Sequence, residues 1–197
     1  MILIGTTTEG PQERHGFRFR GGCNAIDLPA TFQARLSLSP RELLNTPDDL
    51  ARWLVSAGMA STKPKTTAKD LATARVLREA IFVLAGKPSG AKAEAARETL
   101  NRIAAGTAAA PQLQTNGTMR LEGGAGALLA TLAREAVQLF GSDAAKLIRQ
   151  CESRSCTLYF VDNSRRGDRR WCSMSACGNN AKVSEFRRRK RETPPRS

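Results

Sequence analysis

Cys151-Glu-Ser-Arg-Ser-Cys156, followed after fifteen residues by Cys172-Ser-Met-Ser-Ala-Cys177, is the stretch on which the reading of this chain turns. Four of the five cysteines fall within these 27 residues, as two pairs with four residues inside each. Zinc takes four soft, deprotonated ligands in a tetrahedron, and two short-spaced thiol pairs brought together by a hairpin supply them. The segment between the pairs fits. Leu158-Tyr-Phe-Val161 reads as a strand, Asp162-Asn-Ser-Arg-Arg-Gly167-Asp168 as a turn, and Arg169-Arg170-Trp171 as the return. After Cys172 the pattern becomes helical. Ser173 or Ser175 could cap a helix whose first turn holds Cys177, with Ala176, Asn179, Val183 and Phe186 on one face. Knuckle, hairpin and ligand-donating helix make a treble-clef-like layout, and a helix N-terminus favours thiolate over thiol. The sequence predicts one structural Zn2+ on Cys151, Cys156, Cys172 and Cys177, against buried reduced cysteines or a redox pair. Four thiolates leave no open position for catalysis at the metal.

The charge points to a partner for this end of the chain. Lys and Arg number 31 against 18 Asp and Glu, a net +13 over 197 residues. The last 49 residues carry 13 of those cations and only 5 acids. Such asymmetry describes a moderately charged body with a basic, partner-facing end. Arg165, Arg166, Arg169 and Arg170 crowd the turn; Arg187, Arg188, Arg189, Lys190 and Arg191 end the last helix; Lys182 and Arg154 add to the same module. At about 100° per residue the terminal cations point nearly all round the helix. Phosphate contacts are the natural use of such a cluster, with Asn180 and Ser184 as candidates for reading base edges. The competing reading is a solvated charged helix end that complements the dipole. DNA leads and RNA is its rival. Aromatics are only 5% of the chain, and Tyr159 and Trp171 are assigned to the finger's small core, leaving little for base stacking.

The first 148 residues read as a mainly helical body. Thr46-Pro47-Asp48-Asp49 is a helix start: a capping hydroxyl, a proline in the first turn and two acids at the positive end of the dipole. That helix runs to about Gly58. A second begins near Thr66 or Thr67 with the stripe Leu71, Ala74, Leu77, Ile81 and Leu84, and ends at Gly86. A third spans roughly 90–105. Residues 111–122 carry Asn116-Gly117 between two short alternating runs, the mark of a β-hairpin. A fourth helix follows Gly126 and buries Leu128, Leu132, Ala136, Leu139 and Phe140; a short one leads into Ile148. Phe17-Arg-Phe19 reads as a short strand and residues 1–15 as frayed. The segment 24–36, with Pro29 inside it, fits neither template.

No run of 18 apolar residues occurs, and Met1-Ile-Leu-Ile lacks the basic segment of a signal peptide, so the chain reads as cytoplasmic with no membrane partner. His15 is the single histidine, no Gly-Lys-Ser/Thr phosphate loop occurs, and Gly123-Gly124-Ala-Gly126 lacks the third glycine of the dinucleotide fingerprint. No catalytic residues are assigned and the chain reads as a non-enzyme. Cys23 reads as a small buried hydrophobe, and Asp27 as an acid that caps or hydrogen-bonds without titrating.

The finger residues, Leu147 through Cys156, Leu158-Tyr-Phe-Val-Asp162-Asn-Ser-Arg165 and Arg169-Arg170-Trp171-Cys172 through Cys177-Gly178-Asn179, resemble the CGNR zinc finger. Phe17-Arg-Phe19, Ile26-Asp27-Leu28, Leu44 through Leu54, Ala74 through Ala80 and Leu132 through Val137 resemble the ABATE domain that usually precedes it. The resemblance covers nearly the whole chain. It implies a bacterial stress-linked transcription regulator that binds DNA through the finger, with the four cysteines as zinc ligands. Two positions depart from the family: Asn180 stands where the finger motif ends in Arg, and Pro29-Ala30-Thr31 where Val-Asn-Thr is usual.

The resulting expectation is an α+β, mainly α protein. Residues 1–148 form a helical domain with a small β-hairpin, 149–191 the zinc finger with its basic C-terminal helix, and 192–197 a disordered tail. Its function is DNA-binding regulation, with ligand sensing or dimerisation in the body; the effector and its binding residues are unknown. The alternatives are an RNA-binding or ribosome-associated factor, and a small-molecule-binding protein or enzyme with its site in the helical body.

Overall fold

The computed structural model describes residues 12–153 and 156–192; the tail expected at the C-terminus and most of the segment 1–15, expected to be frayed, lie outside them. The fold is α+β and mainly α. The strands form four separate antiparallel pairs. They are β1 (Glu13–Arg14) with β2 (Phe17–Arg18), β3 (Phe32–Gln33) with β4 (Arg41–Glu42), β5 (Ala110–Leu113) with β6 (Met119–Glu122), and β7 (Ile148–Gln150) with β8 (Tyr159–Val161). The helices are α1 (Asn24–Asp27), α2 (Pro47–Ser56), α3 (Ala68–Ala85), α4 (Ala91–Ala104), α5 (Ala125–Phe140) and α6 (Asn179–Glu192).

Local sequence explains the helix starts. Thr46 Oγ1 accepts from Asp49 N at 3.3 Å while Asp49 returns a carboxylate to Thr46 N at 2.7 Å. Thr67 and Asp70 repeat this capping box at α3. The ambiguous segment around Pro29 resolves into α1 and one 3-10 turn, Leu28–Thr31, with the proline near its start where the missing N–H costs nothing. Leu71, Ala74, Leu77 and Ile81 are buried as their spacing predicts; Leu84 and Phe140 are only half-buried. α3, α4 and α5 pack side by side, and α2 brings Trp53, fully buried, against Phe19.

One feature of the core is charged. Arg78 is 4% exposed and grips Glu42 through two bonds of 2.7 and 2.8 Å. Arg35 grips Glu79 at 2.6 and 3.1 Å, and Arg78 Nε also donates to Glu79. Burial pushes the Glu42 and Glu79 carboxyls up, but these hydrogen bonds outweigh it and hold both below the usual range.

β8 corrects the expected layout of the finger. It pairs with β7, upstream of Cys151, and not with the return segment 169–171. Its side chains alternate between two cores, as a strand requires. Leu158 and Phe160 pack with Cys151, Cys172 and Cys177, whereas Val161 joins the helical core and Tyr159 packs against it. Tyr159 therefore does not fill the finger's own core: its ring meets Phe82 of α3 edge-on at 5.4 Å. The body reciprocates with Ala30, which is buried in the cysteine cluster. Gly21 makes the join. Its carbonyl accepts from Val161 N at 2.8 Å and its own N–H donates to Asp27 at 2.7 Å. A Cβ at Gly21 would lie 2.7 Å from Ile26 Cγ2, so only glycine fits this close to α1.

Candidate metal centre and basic face

The two knuckles bring Cys151, Cys156, Cys172 and Cys177 together, with all four Sγ atoms within 4.8 Å of one another. Cys151 leaves β7 and Cys156 enters β8, so the β7–β8 ladder closes the first pair; Cys151 N donates to Leu158 O at 2.9 Å. Cys172 N points at Cys151 Sγ at 3.5 Å, tying the second knuckle to the first. Cys177 sits in a single π turn, Met174–Gly178, closed by Gly178 N to Ser173 O at 3.0 Å. This corrects the expected α-helical first turn. Ser173 holds the cap position without a side-chain cap bond, and its hydroxyl lies 3.0 Å from that of Ser175. A π turn is a rare local widening that recurs at functional sites.

The donor set fits zinc. Sγ–Sγ separations are 3.8 Å for Cys156–Cys172 and 3.6 Å for Cys172–Cys177. Zn–S bonds of about 2.3 Å in a tetrahedron place sulfurs roughly 3.8 Å apart. The same distances are too long for disulfides, and all four are free thiols. Hydrogen bonds from Cys156 and Cys172 draw Cys151 far below the usual thiol range, and those same contacts push Cys156 and Cys172 up. Four thiolates at this spacing repel one another, which a divalent cation relieves. The centre could hold one zinc ion.

The turn after β8 is organised by Asp162, which the sequence reading passed over. It is buried and accepts from Ser164 N, Ser164 Oγ and Arg169 N. Arg149 Nε lies 3.3 Å away. Burial opposes the charge, but these donors hold the carboxyl below its usual range. The signal was present, since Asp-x-Ser is an Asx-turn pattern. The turn leaves Arg165 and Arg166 exposed with no ion pair among the described residues.

The ten candidate cations divide sharply. Arg169 braces the finger. Its guanidinium donates to Trp171 O and Cys172 O and lies 4.7 Å from the Phe160 ring centroid. Arg170 pairs with Glu152 at 2.6 Å and stacks on Trp171. Arg188 and Arg189 both bind Glu185 at 2.8 Å. Lys182, Arg187, Lys190 and Arg191 are exposed and carry no ion pair among the described residues. At about 100° per turn-step these four span one half of α6, and Arg188, Glu185 and Arg189 occupy the other. The paired half, with Lys182 and Arg191 at its margins, lines a cleft of about 1080 Å³ shared with Glu152, Ser153, Arg170 and Trp171. The cations point nearly all round α6, as the spacing implies, but those without an ion pair among the described residues occupy one half. Val183 and Phe186 share that half, 47% and 67% exposed, so the face read from Ala176, Asn179, Val183 and Phe186 is open to solvent at these two residues. Asn180 and Ser184 are exposed; Arg154 lies outside the described residues.

The ABATE family, described as "Putative stress-induced transcription regulator", matches residues 24–143. The chain belongs to the ABATE family. The CGNR zinc finger matches residues 148–190, which contain all four clustered cysteines. A search among curated proteins finds no match. In this ABATE member, Pro29-Ala30-Thr31 forms the buried turn that reaches the cysteine cluster, so that departure from the family pattern lies at the join to the finger. No described helix is long and apolar enough to cross a membrane.

The body also holds buried titratable groups away from the centre. Cys23 is fully buried, as read, and burial pushes its thiol up to about 12. Asp27 accepts a hydrogen bond from Gly21 N, as read, and burial raises its carboxyl to about 7. Burial raises Glu135, which accepts from Ala25 N at 2.9 Å, to about 7 as well.

Proposed function

We propose that the chain is a cytoplasmic, zinc-dependent DNA-binding transcription regulator and not an enzyme. Cys151, Cys156, Cys172 and Cys177 ligate one structural zinc, which when bound locks the two knuckles together. Residues 149–191 act as the DNA-contacting unit and 1–148 as its carrier, with β8 common to both. The observation that carries this reading is the half-face of α6 cations that carry no ion pair among the described residues, with Arg165 and Arg166 likewise exposed at the turn. Six such cations favour phosphate oxygens, and the helix diameter suits a major groove. Arg169 and Arg170 act as braces, and Arg188 and Arg189 reach phosphate only by leaving Glu185.

The test is selection from a random duplex pool on the zinc-loaded protein, with excess structured RNA as competitor. An enriched motif supports the reading. Recovery without a motif, or complete loss of duplex to the RNA, rejects specific DNA recognition and favours an RNA-associated role. One observation favours a small-molecule effector in addition: a groove of about 540 Å³ floored by Leu84, Leu100, Val137, Phe140 and Ile148. Ile148 opens β7, so occupancy there would bear on the strand that leads to Cys151.

A further inference from the structure

The hairpin β5–β6 makes no use of one of its edges. Both strands are exposed except at Leu121, which packs against the core. Gln114 N donates to Thr118 O at 2.8 Å beyond a turn that Gly117, at φ +79°, completes. Hydrogen-bonded pairs alternate along an antiparallel ladder. The bonded pairs are therefore Gln114–Thr118, Gln112–Arg120 and Ala110–Glu122, while Leu113–Met119 and Pro111–Leu121 turn their amides outward. On β5 that outward edge is blunted by Pro111, which has no N–H. On β6 the amides of Met119 and Leu121 point away from β5, and no hydrogen bond among the described residues uses them.

The charges on β6 complete the pattern. Arg120 and Glu122 flank Leu121 on the exposed face, opposite Gln112 and Ala110, and neither has an ion pair among the described residues. A strand carrying a cation and an acid symmetrically about one residue is complementary to itself when run antiparallel. We propose that β6 pairs with β6 of a second copy about a two-fold axis through Leu121, making a four-stranded sheet across a homodimer. In this register Leu121 meets the partner's Leu121, Arg120 faces the partner's Glu122, and Met119 faces the partner's Gly123. The apolar tip, Leu113 at 82% and Met119 at 66% exposure, then lies over the start of the partner's α5 and leaves solvent. An isolated two-stranded hairpin is marginal in water; a four-stranded sheet with one covered face is not. The proposal stands apart from nucleic-acid binding, though a dimer would present two fingers to a symmetric site.

Sedimentation equilibrium of the full zinc-loaded chain over roughly 1–100 µM, the range in which a small interface associates, tests it. The wild type should dimerise. Arg120→Glu and Glu122→Arg each place two like-charge contacts in the dimer and should weaken it at least about tenfold. The double variant restores both attractions and should return to within about threefold of wild type. Met119→Pro removes an edge donor that the hairpin does not use, and should abolish dimerisation while leaving the circular dichroism unchanged. A monomer throughout, or a dimer indifferent to both charge reversals, overturns the proposal. A dimer broken by the single reversals but not restored by the double overturns the register.

Discussion

Replacing Gly21 with alanine tests the join between body and finger. The added Cβ would sit 2.7 Å from Ile26 Cγ2 and 2.9 Å from the Ile26 carbonyl carbon, so both the side chain and the backbone of α1 must move. Overpacking of this kind costs about 1–3 kcal/mol. The shift also strains two bonds of the Gly21 peptide, to Asp27 at 2.7 Å and from Val161 at 2.8 Å, each worth about 0.5–1.5 kcal/mol. The reduced freedom of the unfolded chain returns about 0.4–1 kcal/mol. The net loss is about 2–4 kcal/mol, or a Tm fall of roughly 5–15 °C at this chain length. Differential scanning calorimetry on the zinc-loaded protein reads it directly. Gly126→Ala is the control: its Cβ finds only Asp70 Oδ1, at 3.7 Å, inside a helix, and should raise stability by about 0.5–1 kcal/mol. A Tm for Gly21→Ala within a degree of wild type would refute the claim that Gly21 is held too close to α1 for a side chain while its carbonyl accepts from β8.

Asp27 sets a pH dependence. Its folded pKa of about 7 lies above its unfolded value of 3.8, so its contribution is complete below the unfolded value and is lost as pH rises through 7. Between pH 5 and 8 the loss is about 2–3 kcal/mol, with Glu135 acting in the same direction, and Asp27→Asn should flatten the profile; urea unfolding that shows stability rising over this range contradicts it. Arg78→Met leaves the half-buried Glu42 with Arg75 as its remaining cation and should cost about 3 kcal/mol at most, while adding Glu42→Gln should recover part of it in a double-mutant cycle. Chelating the metal should strip hydrogen-exchange protection from Cys172 through α6 while α3, α4, α5 and Val161 keep theirs, because Val161 belongs to the helical core. Simultaneous loss across α3–α5 would show that the finger does not melt by itself.

Features governed by neighbours in sequence were legible. Thr46 with Asp49, Asn116 with Gly117 and the paired cysteines each declare their local geometry, and Leu71 through Ile81 declare a buried face by spacing alone. Features decided by distant partners were not. The alternation of Leu158 and Phe160 with Tyr159 and Val161 announces two apolar faces, but nothing local says that one belongs to the body or that β7 is the pairing strand. Arg169 is indistinguishable in sequence from Arg165, yet it is fixed by carbonyls that only the folded knuckle presents. Arg78 and Asp27 run against the rule that charges stay outside, and their burial depends on partners 36 and 6 residues away. The open β6 edge required the ladder's hydrogen-bond phase, which Pro111 hints at but does not fix.

The central claim is that the zinc-ordered finger presents a basic face to DNA. Fluorescence anisotropy of a labelled 20-base-pair duplex (about two helical turns), titrated with zinc-loaded protein across a series of salt concentrations, tests it most directly. Lys182, Arg187, Lys190, Arg191, Arg165 and Arg166 are the finger's candidate cations with no ion pair among the described residues, so the account predicts a plot of log affinity against log salt with a slope of about −5 at most. Replacing Arg187, Lys190 and Arg191 with alanine should make that slope shallower by about 2–3. A wild-type slope near zero, or one that the triple replacement leaves unchanged, would contradict the account.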